Sequence, residues 1–103
     1  PTHVLENGKR LCAAAHLQPN RVHTTSQVHG DRLLWVGGLA DLEKPEGEAD
    51  ALATQDAHAA VGVKTADCVP LLLVAPDVRA VAAVHSGWKG TMLEIASRAV
   101  EAL

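Results

Sequence analysis

The 103-residue sequence predicts an α/β domain that contains a mixed sheet of about five strands and flanking helices. Apolar runs occupy residues 61–66, 69–74 and 79–84, and they are continuous instead of alternating with polar residues. Continuous runs of this length are typical of strands that are covered on both faces. Pro76 and Asp77 separate the last two runs, which predicts that those two strands form a hairpin.

Helical patterns lie at the two ends of the chain. Thr2 is the predicted N-cap of a first helix that runs to about His16. The last helix is predicted to begin near Thr91, because Thr91 and Glu94 have the spacing of a capping box. Its apolar stripe recurs at helical spacing and includes Met92, Ile95, Ala99 and Leu103.

Two further strands are predicted in the first half of the chain. Residues 21–28 are rich in β-branched side chains, and residues 32–36 are mostly apolar. Gly30 and Asp31 lie between them, which favours a tight hairpin turn. Residues 37–49 contain three glycines and five charged residues, and this composition predicts a solvated loop.

The composition is that of a soluble globular domain with a thin core. Hydrophobic residues make up 48% and charged residues 20% of the chain, but alanine accounts for 18 positions and neither Phe nor Tyr occurs. Small side chains bury little area, so a lone domain of this size is marginally stable. We therefore expect residues 1–103 to be a single domain that is truncated at both ends. More chain, or self-association through the last helix, would then complete the core.

Charge and hydropathy exclude several classes of function. The formal net charge of −3 provides no basic surface for nucleic acid. No apolar run approaches the ~20 residues that span a bilayer, and no leader segment is recognisable. The chain is therefore predicted to be cytoplasmic and not membrane-bound. Cys12 and Cys68 are too few for a disulfide scaffold and are expected to stay reduced in that compartment.

Three short segments place reactive side chains beside glycines or at predicted strand ends. They contain His29 in Gln-Val-His-Gly, Cys68 in Thr-Ala-Asp-Cys, and His85 in Val-His-Ser-Gly-Trp-Lys-Gly. One Cys and two His match a catalytic zinc site that keeps a fourth position open. Spacing alone leaves other interpretations open, because a lone His is more often a surface or capping residue. A lone Cys is more often a small core residue.

The other four histidines show no clustering. His3, His16, His23 and His58 lie in helix or loop contexts, and we assign them no role from the sequence. His23 would become relevant only if the fold brought it close to His29.

The motifs resemble those of one family in the same order along the chain. Gln-Val-His-Gly is followed by Ala-Asp-Ala-Leu-Ala-Thr at residues 49–54, then by Lys-Thr-Ala-Asp-Cys-Val-Pro, then by Ala-Val-His-Ser-Gly-Trp-Lys-Gly-Thr. This order is similar to that of the laccase-domain family, long labelled polyphenol oxidase and now understood as purine nucleoside phosphorylases. The resemblance implies that this chain forms part of a four-layer α/β/β/α sandwich. It also implies a zinc ion bound by His29, Cys68 and His85, although family members are more than twice as long.

The resemblance implies phosphorolysis of adenosine, inosine and methylthioadenosine together with deamination of adenosine. Purine nucleoside and phosphate would then be the binding partners. Asp67 is the nearest carboxylate for proton transfer, although a role as a turn residue is equally compatible with the sequence. Lys89 is a candidate phosphate ligand at the start of the last helix, or else a solvated surface charge. The isolated 103-residue chain is expected to bind metal weakly and to turn over nucleosides poorly.

Two other functions remain open from the sequence. A copper-dependent phenol oxidase would use the same ligands for Cu, and Met92 would be the axial ligand of a blue-copper centre. The separation of 17 positions from Cys68 to His85 disfavours such a centre, whose Cys, His and Met usually share one loop. A non-catalytic metal-binding fragment or interaction module would instead fit the thin core.

Overall fold

A computed structural model describes residues 2–41, 44–65, 69–87 and 95–103, with side chains from residue 6 onward. The chain forms two helices, α1 (Thr2–Ala14) and α2 (Ile95–Ala102). The strands are β1 (Val22–His23), β2 (Leu33–Val36), β3 (Ala51–Thr54), β4 (Ala60–Val61), β5 (Val69–Ala75) and β6 (Ala80–Ser86). Short 3₁₀ turns occupy Pro19–Arg21 and Pro76–Val78. The radius of gyration, 13.2 Å, is that expected for a folded domain of this length.

The strands form one mixed sheet and one short parallel pair. The four-stranded sheet has the order β2-β3-β6-β5, with β2 parallel to β3 and the other neighbours antiparallel. The second pair joins β1 to β4. The mixed α/β class predicted from the sequence is therefore confirmed.

The β5–β6 hairpin is confirmed as well. Its register pairs Ala75 with Ala80, and the loop between them closes through a hydrogen bond of 3.2 Å from the Arg79 amide to the Pro76 carbonyl. Arg79 adopts a left-handed backbone with φ of 52°, which reverses the chain after the 3₁₀ turn.

The first helix ends as its sequence predicts, with a reversal just before Pro19. The His16 amide donates to Ala13 at 3.2 Å and the Leu17 amide donates to Cys12 at 2.7 Å, while His16 has a φ of 60°. This pair of bonds is a Schellman motif, which satisfies the last carbonyl groups of a helix. Cys12 is a free, buried thiol.

The core lies between α2 and one face of the sheet. Ile95 and Ala99 of α2 are fully buried against Ala51 of β3 and Val84 of β6. Partly buried leucines complete the cluster at positions 33, 71 and 73. The prediction that the apolar stripe of the last helix needs more chain or a partner to cover it is thus wrong for Ile95 and Ala99, because the sheet already covers both. Met92 lies outside the described residues.

Three other sequence predictions are wrong. Of the described part of the apolar run 61–66, only Val61 has strand structure, because β4 is limited to Ala60–Val61. Residues 21–28 do not form one strand, since only Val22–His23 has strand structure, and no hairpin at Gly30 joins them to β2. Their amides bind a side-chain carboxylate instead, as shown below. Strand β3 was not predicted, although all four of its residues are buried.

The β5 strand differs from the prediction of coverage on both faces. Leu72 is 80% and Val74 70% exposed, while Leu71 and Leu73 on the opposite face contact the core. Neither described helix is long and apolar enough to cross a membrane.

Candidate metal centre

Asp50 and His85 are direct neighbours across two antiparallel strands. The register pairs Ala51 with Val84, and the ladder continues one residue further through a 2.7 Å bond from the His85 amide to the Asp50 carbonyl. The Asp50 amide donates to Arg32 on the other side at 3.1 Å. The backbone of Asp50 is therefore fixed by strands on both sides, and paired residues of an antiparallel ladder project side chains to the same face.

The side chains of this pair also bond to each other. Nδ1 of His85 lies 2.6 Å from Oδ2 of Asp50, and the two side chains are 3% and 0% exposed. Because a carboxylate at this distance accepts the Nδ1 proton, any further ligand of the ring must bind at Nε2.

The same carboxylate holds the loop that carries His29. Oδ1 of Asp50 accepts hydrogen bonds from the amides of Val28 at 3.0 Å and Gly30 at 2.9 Å, and Oδ2 accepts one from the His29 amide at 3.0 Å. These three bonds turn the chain around the carboxylate. They are the physical reason that Gly30 does not form the predicted hairpin.

His29 has a left-handed backbone. Its φ of 58° is uncommon for a residue with a side chain and costs free energy that the surroundings must offset. The amide bonds to Asp50 supply that stabilisation. The conformation leaves the His29 residue exposed, whereas His85 is buried.

Four hydrogen bonds determine the charge of Asp50. Burial alone would raise the pKa of this carboxyl, but the bonds from His85 and from the amides of Gly30, Val28 and His29 together lower it below the ordinary value of 3.8. Asp50 is thus an anion at neutral pH, and its negative charge lies beside the ring that the sequence predicts as a metal ligand.

His29 and His85 lie next to each other. Their ring centroids are 5.1 Å apart, and the ring planes are inclined by 59°. Two of the three ligands predicted from the sequence are thus adjacent, one on a loop and the other at the end of β6.

Gln27 connects the same loop to the segment that precedes β5. Its Nε2 donates to the Lys64 carbonyl at 2.7 Å, and its Oε1 accepts from the Lys64 amide at 2.6 Å. One side chain therefore pairs with the main chain much as a neighbouring strand would.

The remaining predicted site residues, Cys68, Asp67 and Lys89, lie outside the described residues, as do Trp88 and Thr91. Cys68 directly precedes Val69 in the sequence, and Val69 pairs with Ser86, the residue after His85. Within the described ranges, no group of three or more His, Cys, Asp or Glu side chains is arranged to hold a metal ion.

The other described histidines have separate environments. His23 is buried and bonds to Glu46 through Nδ1 and to the Gly38 carbonyl at 3.1 Å through Nε2. His23 therefore anchors residues of the 37–49 loop to β1. His16 and His58 line a cavity of about 270 Å³ together with Arg21.

Sequence reasoning missed Asp50 as a site residue. It was recognised only as part of the Ala-Asp-Ala-Leu-Ala-Thr motif at residues 49–54. The available signal was an aspartate directly before a run of small apolar residues. A charged residue is rarely buried there unless partners compensate for its desolvation.

Comparison with known proteins places these segments in one family. The sequence profile of the family described as multi-copper polyphenol oxidoreductase laccase matches residues 1–103. This chain belongs to that family. The laccase-family resemblance predicted from the motifs is therefore confirmed.

Relatives in the laccase family carry the name purine nucleoside phosphorylase. One from Deinococcus radiodurans is 37% identical over 98% of this chain, and one from Mycobacterium tuberculosis is 38% identical over the whole of it. The crystal structure of YlmD from Geobacillus stearothermophilus has a TM-score of 0.87 and 32% identity over 96% of this chain.

The match covers only part of each relative. The chain spans 38% of the Deinococcus protein, 40% of the Mycobacterium protein and 39% of the YlmD chain. The four-layer sandwich and the division into one truncated domain therefore stay predictions for a longer protein.

Proposed function

We propose that this chain forms the metal-binding part of a zinc-dependent purine nucleoside phosphorylase. Its substrates would be adenosine, inosine and methylthioadenosine with phosphate, and it would also deaminate adenosine. The observation that carries the proposal is the adjacency of His29 and His85, with the His85 ring held at Nδ1 by the buried carboxylate of Asp50. The relatives' names support the phosphorylase activity.

The donor set fits a metal ion. Histidines that bind a metal almost always donate a hydrogen bond from their other ring N–H to a carboxylate, a carbonyl or water, and His85 has that arrangement with Asp50. His29 and His85 would bind through imidazole and Cys68 through thiolate. Two nitrogens and one sulfur favour zinc and leave a fourth position for substrate or water.

Bound zinc would supply Lewis-acid chemistry at neutral pH. Side chains of this chain would supply proton transfer and phosphate binding. In this proposal Asp67 transfers a proton during deamination, and Lys89 binds phosphate beside the amides that open the last helix. Nucleoside and phosphate would be the partners, and nucleic acid and membrane would not. The compartment proposed for this chemistry is the cytoplasm.

Copper-dependent phenol oxidation is the second candidate, because the family's description refers to a multi-copper oxidoreductase. The same three side chains would bind Cu, since imidazole and thiolate are also copper ligands. A non-catalytic metal-binding module is the third candidate, and it predicts metal binding without turnover of either substrate.

Metal content and turnover together decide among these functions. We would measure zinc and copper stoichiometry for the 103-residue chain and for its His29→Ala, Cys68→Ala and His85→Ala variants, with His16→Ala as the control. Inosine phosphorolysis, adenosine deamination and phenol oxidation would be assayed with each metal, and a family-length relative would serve as the positive control.

The expected result is weak zinc binding that saturates at about one zinc per chain, as for a single three-ligand site. Each ligand variant should lose the zinc and His16→Ala should keep it, with phosphorolysis in the relative and weak activity in this chain. Retention of zinc by all three ligand variants would refute the site. Oxidation of phenols with copper, without phosphorolysis in either protein, would replace the proposed function by the oxidase.

A further inference from the structure

One buried carboxylate contacts both histidine segments of the candidate metal centre. Asp50 accepts four hydrogen bonds, one from the His85 ring and three from the consecutive amides of residues 28–30. It has no exposed surface. Burial of a carboxylate without partners is strongly unfavourable, so these four hydrogen bonds compensate for the desolvation of Asp50.

We propose that Asp50 is the positioning residue of the metal centre, setting the His85 tautomer and the His29 backbone at the same time. This inference rests on the proposed function, since it assigns a role toward the same metal. It adds a residue that does not contact the metal and whose removal would disable both histidines together.

The tautomer argument concerns Oδ2 of Asp50. A neutral imidazole carries one proton, and the nitrogen without the proton is the one that binds a metal. Oδ2 lies 2.6 Å from Nδ1 of His85. Both oxygens of Asp50 already accept from main-chain amides, so the carboxyl is the acceptor of this bond as well. The proton therefore resides on Nδ1, and the lone pair resides on Nε2.

The backbone argument concerns the His29 loop. A φ of 58° at His29 is uncommon for a residue with a side chain and is unfavourable unless the surroundings stabilise it. The amides of residues 28, 29 and 30 converge on two oxygens of one side chain, and this convergence selects the left-handed conformation. Without the carboxylate the three amides lose their shared acceptor, and these bonds no longer hold His29 beside His85.

The isosteric variant Asp50→Asn separates these effects from simple loss of volume. Either orientation of the new amide sets its NH₂ group against two donors. At the Oδ1 position it would meet the amides of Val28 and Gly30. At the Oδ2 position it would meet the His29 amide and the His85 ring, and His85 would respond by moving its proton to Nε2.

The test is imidazole ¹⁵N NMR of the metal-free chain, followed by zinc titration. We expect wild-type His85 to have the Nδ1–H tautomer, and Asp50→Asn to shift the population toward Nε2–H. Zinc affinity should fall by about 10–100-fold, as when other outer partners of metal-binding histidines are removed. The control is Asp56→Asn, because Asp56 also accepts two backbone amides, from Gly38 at 2.8 Å and His58 at 2.9 Å. It should leave both readouts unchanged.

The two readouts distinguish failure of this inference from failure of the proposed function. Wild-type His85 in the Nε2–H form would overturn the positioning role, and this measurement does not need the variant to fold. Zinc binding that is equally tight in wild type and folded Asp50→Asn would also overturn it, while the metal site would stand. A wild-type chain that binds no zinc but shows the Nδ1–H tautomer and its loss in Asp50→Asn would support the positioning role and refute the zinc site.

Discussion

The side-chain amide of Gln27 pairs with both main-chain groups of Lys64, at 2.7 Å to the carbonyl and 2.6 Å from the amide. Gln27 lies two residues before His29, and Lys64 lies four residues before Cys68. This contact thus joins the segments that carry two proposed ligands, although they are far apart in the sequence.

Replacement of Gln27 by glutamate should weaken zinc binding. The new carboxylate still accepts from the Lys64 amide but cannot donate to its carbonyl, and two acceptors would then face each other. We expect a stability loss of about 1 kcal/mol and a several-fold drop in zinc affinity, measured by thermal unfolding and by competition with a chelator.

Gln55→Glu is the matched control for that variant. Nε2 of Gln55 donates to the Val78 carbonyl at 2.9 Å, and Gln55 follows Thr54 at the opposite end of β3 from Asp50. The loss of stability should be similar, and zinc affinity should not change. Equal zinc affinity in the two variants would show that the Gln27 contact does not position the site.

Asp56 should contribute to stability in a pH-dependent way. Bonds from the Gly38 and His58 amides hold the pKa of Asp56 below its ordinary value of 3.8, and Arg21 and His58 add a favourable field. A carboxyl whose pKa is lower in the folded state stabilises the fold fully at pH values above its unfolded-state pKa. This stabilisation is lost as the pH falls through its folded-state pKa. The wild type should therefore exceed Asp56→Asn in unfolding free energy at pH 5–7, and the difference should shrink as pH falls below 3.8. Urea unfolding at several pH values measures this, and a constant difference down to pH 2 would contradict it.

The sequence predicted the elements whose signals are local. The β5–β6 hairpin has a Pro-Asp turn between two apolar runs, and α1 stops before Pro19. Strand β3 was missed because Ala-Leu-Ala-Thr has weak β propensity, and neighbouring strands on both sides supply its stability.

The candidate site was predictable only where its residues lie in local sequence motifs. His29 and His85 stand beside glycines in recognisable motifs. The role of Asp50 depends on the pairing of β3 with β6 and on three amides from another loop. No pattern within a short window contains those contacts. The sequence likewise indicates no role for His23, because its partner Glu46 is 23 residues away and shares no local motif with it.

Ile95 should be a principal stabilising residue of α2. It is fully buried against Ala51 and Val84, so Ile95→Ala removes apolar contacts and leaves a cavity. Such substitutions cost about 2–5 kcal/mol, a large share of the stability of a domain this small. Val100→Ala in the same helix is the control, because Val100 is 60% exposed and its loss should change stability by less than about 0.5 kcal/mol. Chemical denaturation checks both, and equal effects would mean that α2 does not pack on the sheet as described.

Self-association, if it covers apolar surface, should use β5 and not α2. In the described sheet β5 is one of the two terminal strands. Its outer face carries Leu72 and Val74 beside Val81 of β6, to which Val74 is paired. A terminal strand with exposed apolar side chains offers both unpaired backbone groups and a hydrophobic surface to a second copy. We expect the wild-type chain to associate with rising concentration and Leu72→Lys to remain monomeric, as measured by sedimentation equilibrium. Val100→Lys tests the association through the last helix that the sequence suggested, and it should associate like the wild type. A monomeric Val100→Lys together with an associating Leu72→Lys would return the interface to the helix.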